Sequence, residues 1–565
     1  MLSRLPQICG ILALATLVGC STGHYKKKAD KDVYAILKKV EDDIFGRSSG
    51  FSINSNKSSN ATAAAILKKS SSGKKLTLNL DQALSYAIKN SREYQSEKEK
   101  LYLTALTLTG ERHNFKPRFF GGTNANYARS SDGERSGSVN SDLGVNQALK
   151  SGGALGIGIA NDLLRYFTGD PRRSAASTLS LNVTQPLLRG AGRKVAAERL
   201  TQANRNVVYA VRDFSHFQNT FSVEIVNEYF DLLQSKKVIF NEYNNYESRK
   251  ANSEYLQARQ DRESPEAASN AEQDELEAKN RYISSVTSYR NALDRFKITL
   301  GLPQTTELHL DDEEIDRIRK IGAKPLNILN SQAFLIALDH RLPLFNQIDR
   351  FEDSKRQIAV AANRLKADLN IVGGASLDNR GGPTDYRNFN FKDVRANVGL
   401  QLNLPLDRLR ERNEYRATLI SFEAATRKLG RDFDELRNLL DRRIREVEQF
   451  RQSYTIQSNA YTLAKTRVEG NKLRFQAGTV IFRRLSESQD ALIAAQNAET
   501  RALVNYLGAR LNLMIDLGIL KTDDKSYWLK ENPSKLKTFE NPPALHRIPA
   551  VNSDDRVIPP SELFR

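Results

Sequence analysis

Val394-Arg395-Ala396-Asn397-Val398-Gly399-Leu400-Gln401-Leu402-Asn403-Leu404 alternates apolar and polar residues without a break. Successive side chains of a β-strand point to opposite faces. One face here is Val394, Ala396, Val398, Leu400, Leu402 and Leu404, and the other is Arg395, Asn397, Gly399, Gln401 and Asn403. About eleven such residues suffice for a tilted transmembrane strand. A weaker version runs through Leu369, Ile371, Gly373, Ala375 and Leu377, and further alternation occurs near 119–128, 143–149, 155–160 and 179–183. A soluble, half-buried sheet alternates in the same way, but its apolar face needs a cover, and the chain offers no second apolar sheet. A membrane β-barrel puts that face on lipid and needs no cover.

The strands recur because the chain repeats itself. Asp81-Gln82-Ala83-Leu84-Ser85-Tyr86-Ala87-Ile88 aligns with Ser331-Gln332-Ala333-Phe334-Leu335-Ile336-Ala337-Leu338 at an offset of 250. Pro186 aligns with Pro405 at 219, and Leu300-Gly301 with Leu517-Gly518 at 217, so the first half carries about 31 extra residues between its first helix and its proline. Each half reads as an amphipathic helix (Leu84 to about Asn114; Ala333 to about Lys366), β-like sequence, a very long helix and a returning helix. Asp81 and Ser331 are the expected N-caps.

The long helices have 4-3 apolar spacing, as in coiled coils. Val207, Val211, Phe214, Phe221, Ile225 and Leu232 form one seam, and Leu429, Phe433, Leu436, Leu440, Val447, Phe450 and Tyr454 the other. From about Arg193 to Leu256 and from about Arg408 to Arg474 no proline interrupts them. Each would be roughly 95–100 Å long at 1.5 Å per residue.

The N-terminus carries an address. Arg4 precedes an apolar run, Ile8 to Val18, too short to span a membrane, which ends in Leu17-Val18-Gly19-Cys20. This resembles the bacterial lipobox, which implies cleavage before Cys20 and a covalent lipid on its thiol; an ordinary secretory signal with a chance cysteine is the alternative. Ser21 then favours the outer membrane. Residues 20–75 read as a lipid-anchored flexible segment with a short helix at Asp32 to Ile44, and Gly46-Arg47-Ser48-Ser49-Gly50 as linker, since no strand precedes it to build a nucleophile elbow.

Composition narrows the function. The 565 residues allow two to four domains. A charged fraction of 27% against 39% hydrophobic excludes a helical membrane protein and wholesale disorder. The net charge of +18 alone would admit a nucleic-acid binder, but an exported protein rarely meets nucleic acid. Two cysteines and six scattered histidines offer no disulfide framework, metal site or catalytic constellation. The expectation is a protein that is no enzyme, has no metal, and carries no cofactor beyond the lipid on Cys20.

The order of these pieces resembles the TolC-type outer-membrane efflux protein family over roughly 76–520. The resemblance is carried by Leu76-Thr77-Leu78-Asn79-Leu80-Asp81-Gln82-Ala83-Leu84, Gln185-Pro186-Leu187-Leu188-Arg189-Gly190, Leu293-Asp294-Arg295-Phe296-Lys297 with Leu300-Gly301-Leu302-Pro303, Pro405-Leu406-Asp407-Arg408, and Phe475-Gln476-Ala477-Gly478-Thr479. It implies a mostly α fold with transmembrane β: two tandem repeats per chain, and a homotrimer sharing one β-barrel and one long α-helical coiled-coil barrel. The expected segments are a signal peptide (1–19), the anchored segment (20–75), a first repeat (76–310) with an extra β-hairpin near 139–165, a connector (311–330), a second repeat (331–520) and a Pro-rich extension (521–565) that wraps the outside or is disordered. The family has two strands per half; the first half here offers four, and the extra hairpin could widen the barrel, enter its lumen or lie outside.

The resemblance further implies a passive trans-periplasmic duct of a tripartite efflux or type I secretion system in the outer membrane of a Gram-negative bacterium. Its partners would be outer-membrane lipid, a periplasmic adaptor, and an inner-membrane pump or ABC transporter, with no nucleic acid. A structural or adaptor-type coiled-coil lipoprotein is the competing reading. In the family a Tyr, an Arg and acidic residues lock the periplasmic entrance. Aligned on Gly478, the Tyr position is Phe475, the Arg position is Val480, and the acidic positions are Arg484 and Glu487. Phe475, Arg484, Glu487 and Asp490 are therefore the gate candidates, with Arg474, Arg483 or Arg484 as possible partners of Glu487 or Asp490, or all of these as solvated charges. Gly478 and Thr479 are the adaptor-contact candidates. The first-half tip, Arg259 to Glu266, lacks the family's glycine, and Pro265 is placed to start the returning helix.

Overall fold

The computed structural model describes residues 21–47, 50–53, 75–168, 173–259, 265–326, 328–380, 388–522 and 526–529. In chain order the elements are α1 (Thr22–Phe45), β1 (Lys75–Leu78), α2 (Leu80–Asn90), α3 (Arg92–His113), β2 (Arg118–Arg129), β3 (Arg135–Ala148), β4 (Ala154–Tyr166) and β5 (Arg173–Pro186). After a single turn come α4 (Glu198–Gln257), α5 (Pro265–Leu300), β6 (Glu307–Leu310), α6 (Glu313–Ile321), α7 (Asn330–His340) and α8 (Leu342–Arg364). The chain continues through β7 (Asp368–Asp378), β8 (Arg395–Asn403), α9 (Leu409–Gln476) and α10 (Phe482–Asp516). Contacts divide it into two units.

The first unit comprises 1–53, 99–212 and 346–430. Among the described residues its sheet has six strands in the order β2-β3-β4-β5-β7-β8, every neighbouring pair antiparallel. The helical part of the unit is tied by a polar cluster. Tyr209 donates its hydroxyl to Asp353 (2.7 Å), Gln202 donates to the same carboxylate (2.9 Å), and Arg205 pairs with Asp349 (3.0 Å). At the strand-to-helix junction the buried Asn363 accepts from the Gly190 amide (2.7 Å) and donates to the Leu188 carbonyl (3.2 Å). The expected flexible N-terminal segment is corrected for 22–45, which is one helix. Val33, Ile36 and Leu37 are buried along one stripe, and Asp30 accepts from the Tyr102 hydroxyl (2.8 Å), so burial and a hydrogen bond order residues whose composition alone reads as a tether.

The second unit comprises 54–98, 213–345 and 431–565. Strands β1 and β6 pair in parallel, and the buried Tyr229 hydroxyl donates to the carbonyls of Leu78 (3.2 Å) and Asp311 (2.9 Å) beside them. Tyr94, Phe214, Phe217 and Phe221 pack ring on ring. The expected seam positions are buried at Phe214, Phe221, Ile225, Leu232, Leu436, Leu440 and Val447.

Three expectations are corrected here. The N-caps are Asn79 and Leu329, two residues before Asp81 and Ser331. Asn79 accepts from the Gln82 amide (2.8 Å) while the Gln82 side chain accepts from the Asn79 amide (3.1 Å), a complete capping box that fixes the earlier start. The single amphipathic helix of each half is broken in two, at Ser91 and at Arg341. No proline or glycine stands at the first break, whereas Pro343 sits in the first turn of the helix that follows the second. Each break also carries a distant glycine in the left-handed region: a Cβ on Gly301 (φ +75°) would lie 2.2 Å from the Asn90 carbonyl oxygen, and one on Gly518 (φ +76°) 2.4 Å from that of His340. The C-terminal extension is not wholly peripheral. Tyr527 and Trp528 are buried, Arg510 donates to the Trp528 carbonyl, and the Trp528 indole N–H donates to Glu314 (3.4 Å). The rest of the extension beyond 529 lies outside the described residues, as does Cys20.

Candidate functional site

Two surfaces stand out, one in each unit. In the first unit, register carries an apolar row across all six strands: Phe119, Val145, Ile157, Leu181, Ala375 and Ala396. The next row along runs Gly121, Leu143, Ile159, Leu179 and Leu377. Beside the first of these, on the opposite face, lies the row Arg118, Asn146, Gly156, Asn182, Gly374 and Asn397. The apolar face is uncovered: Phe119 is 82% exposed, Val398 84% and Leu143 60%. An apolar patch of this extent marks an interaction with lipid or protein. No helix among the described residues is long and apolar enough to cross a membrane. At the sheet's margins, among the described residues, β2 pairs only with β3 and β8 only with β7.

In the second unit, the ends of two helical hairpins, α4–α5 and α9–α10, are joined through Arg249, which is 1% exposed. Its guanidinium meets Asp274 of α5 (3.0 Å) and Asp490 of α10 (2.8 Å), and donates to the Ser486 carbonyl (2.9 Å) and to the Ser486 hydroxyl. The Ser486 hydroxyl in turn donates to Asp274 (2.5 Å). Arg281 adds weaker pairs to Glu242 (3.5 Å) and Asp490 (3.6 Å). Burial pushes the Glu242 carboxyl up, and Arg281 opposes this. Beside the ion pairs Leu256, Ala271 and Phe482 form a small core that Phe475 covers, its ring edge-on to Tyr255 (6.3 Å) and Phe482 (6.1 Å).

By sequence, no protein-family model and no curated protein matches the chain. By structure, it is similar to the CmeC outer membrane channel of Campylobacter jejuni, with a TM-score of 0.57 and 13% identity over 78% of this chain and 85% of that one. VceC, an outer membrane protein of Vibrio cholerae, gives 0.56 and 13% over 78% and 96%. The open state of the MtrE outer membrane channel of Neisseria gonorrhoeae gives 0.52 and 13% over 78% and 89%. The chain has the TolC-type outer-membrane channel fold.

On this TolC-type fold the candidate residues fall as follows. Phe475 and Asp490 enter the joined cluster, Phe475 through ring contacts and Asp490 through Arg249. Glu487 pairs with Arg483 (3.1 Å) on the same exposed helical turn and does not reach the other hairpin. Arg484 is exposed; its amide donates to the Ile481 carbonyl (3.1 Å) and its carbonyl accepts from Asn471 (3.4 Å). Gly478 and Thr479 form the turn, with Gly478 at φ +72° and the Thr479 amide bonded to the Arg474 carbonyl (2.9 Å). Arg249, Asp274 and Ser486 escaped sequence reasoning. A charged residue among coiled-coil positions reads as a solvated face, and nothing local marks Arg249 as buried.

Proposed function

We propose that the protein is the outer-membrane channel of a tripartite export system: a passive duct, not an enzyme, formed by three copies that share one β-barrel and one helical barrel. The observation that carries this reading is the six-stranded sheet with an uncovered apolar face, a polar opposite face and two unpaired margins. Alone it would leave strand edges unsatisfied in lipid, where each lost hydrogen bond costs several kcal/mol. Other copies satisfy them. Polar rows then line water and apolar rows face lipid.

The tip cluster is the natural entrance. Arg249, Asp274, Asp490 and Ser486 hold the two hairpins of one chain together, in place of the family Tyr and Arg that this chain replaces with Phe475 and Val480. Gly478 and Thr479 present the turn to a periplasmic adaptor, which couples the duct to an inner-membrane pump or ABC transporter. The two tandem repeats place both hairpins at this end. A lipid on Cys20, after removal of 1–19, anchors the chain to the outer membrane of a Gram-negative bacterium.

Purified full-length protein reconstituted in planar bilayers should conduct ions and weigh as three chains in native mass spectrometry. A non-conducting monomer would favour a structural or adaptor-type lipoprotein. Cys20→Ser should abolish labelling by a radioactive fatty acid while leaving the conducting particle intact; labelling that persists rejects the anchor.

A further inference from the structure

The hairpin β3–β4 is what separates this sheet from one of two strands per half. It is inserted between β2 and β5 and pairs with both along nearly its whole length, Arg118 with Asn146 to Arg129 with Arg135 on one side and Ala154 with Thr184 to Arg165 with Arg173 on the other. Its own apolar residues stay in register with the apolar rows of the other strands, and they are uncovered: Leu143 is 60% and Ile157 47% exposed. A hairpin folded into a lumen or lying outside the wall would lack these ladders and would turn those side chains to water.

The margins point to what completes the sheet. β2 and β8 contain no proline, and their only charged residues are at their ends, Arg118 and Arg129 in β2 and Arg395 in β8. Soluble proteins guard exposed edges with charge or proline, and these edges are unguarded. Six strands are fewer than the eight of the smallest membrane barrels, so one sheet does not close on itself. Counting across the sheet, β2 and β8 run in opposite directions, so β8 of one copy and β2 of the next continue the antiparallel alternation.

Resting on the three-copy channel reading above, we propose that β3–β4 belongs to the lipid-facing wall and that copies join β8 to the next copy's β2. The barrel then has three times the six strands of one chain, eighteen, the width of a porin that leaves an aqueous channel. Barrel diameter grows roughly linearly with strand number. The bore therefore has about twice the cross-section of the twelve-stranded barrel that four strands per chain would build.

The test places single tryptophans in the full chain, reconstituted in vesicles of brominated phosphatidylcholine, with the emission of native Trp528 subtracted. Leu143→Trp and Ile157→Trp on the hairpin should lose most of their emission, as should the references Leu181→Trp on β5 and Val398→Trp on β8, while Asn146→Trp on the opposite face keeps its emission. Quenched references with unquenched hairpin positions overturn the wide wall and leave the channel reading standing. Unquenched references overturn the channel reading itself. A second measurement deletes residues 135–166, which leaves β2 free to pair antiparallel with β5. The membrane-embedded diameter of the imaged particle should shrink by about a third; an unchanged diameter overturns the proposal.

Discussion

Replacing Gly518 or Gly301 by alanine tests how the broken helices are held. Both glycines have φ near +75°, and both press on backbone: the added Cβ would sit 2.4 Å from the His340 carbonyl oxygen and 2.8 Å from the Arg341 nitrogen, or 2.2 Å from the Asn90 oxygen and 3.2 Å from the Ser91 nitrogen. A left-handed conformation costs a non-glycine residue about 1–2 kcal/mol. Forcing an extra methyl into a packed site costs about 1–3 kcal/mol more, and here the obstacle is main chain that cannot rotate away. Each substitution should therefore destabilise by about 2–5 kcal/mol. Gly478, at φ +72° with nothing within 4 Å of its Cβ position, supplies the control, since Gly478→Ala carries the conformational cost alone. The single tryptophan, Trp528, is fully buried in the same unit as all three positions and reports unfolding by fluorescence at a fixed heating rate in detergent. The reasoning fails if Gly301→Ala and Gly518→Ala unfold no earlier than Gly478→Ala.

Three further outcomes follow from charge. Arg249→Met removes the tie between hairpins; because Asp274 and Asp490 remain a third and a half exposed, the loss should be modest, about 1–3 kcal/mol, and single-channel recordings should show longer openings than the parent, with unchanged gating counting against a lock. Burial pushes the Asp353 carboxyl up, but hydrogen bonds from Tyr209, Gln202 and Arg356 and the charge of Arg205 outweigh it and hold the group below the usual carboxylate range. Its contribution is thus present above about pH 4 and lost as pH falls through the depressed value, so Asp353→Asn should lower the unfolding temperature at pH 7 and converge on the parent in stronger acid. Glu228 is the opposite case: burial, reinforced by Glu224 and Asp231, raises its carboxyl, and its Oε2 is buried without a hydrogen-bond partner. Its ionised form opposes folding at neutral pH, so Glu228→Gln should raise the unfolding temperature at pH 7 and gain less as pH falls towards 4.5; a loss of stability at pH 7 contradicts this.

The strands were legible because a sheet with one apolar and one polar face imposes a strict period of two, and Val394 to Leu404 displays it without exception. The long helices were legible from 4-3 spacing that survives burial at Phe221, Ile225 and Leu440. The break at Ser91 was not, since the glycine that packs against it, Gly301, lies far along the chain; the break at Arg341, packed by Gly518, does carry a local mark in Pro343, which the amphipathic pattern running through it masked. Asp81 and Ser331 looked like caps because their side chains suit the role, but reciprocal bonding between Asn79 and Gln82 starts the first helix earlier. The tip tie was hidden for the same reason as the first break: Arg249 meets residues 25, 237 and 241 positions along the chain, and no local pattern encodes such a meeting. Trp528 was lost in a proline-rich context that disguises a core residue.

The four places where the chain passes between helix and sheet, Arg118, Pro186, Asp368 and Asn403, all fall at one end of the strands; the β3–β4 turn shares that end, while the β2–β3, β4–β5 and β7–β8 links leave from the other. Strands can consequently be gained or lost in pairs without re-routing any helix, whereas an odd insertion would strand a helix on the wrong side. Evolution is thereby free to widen or narrow the sheet by splicing whole β-hairpins while inheriting the helices untouched.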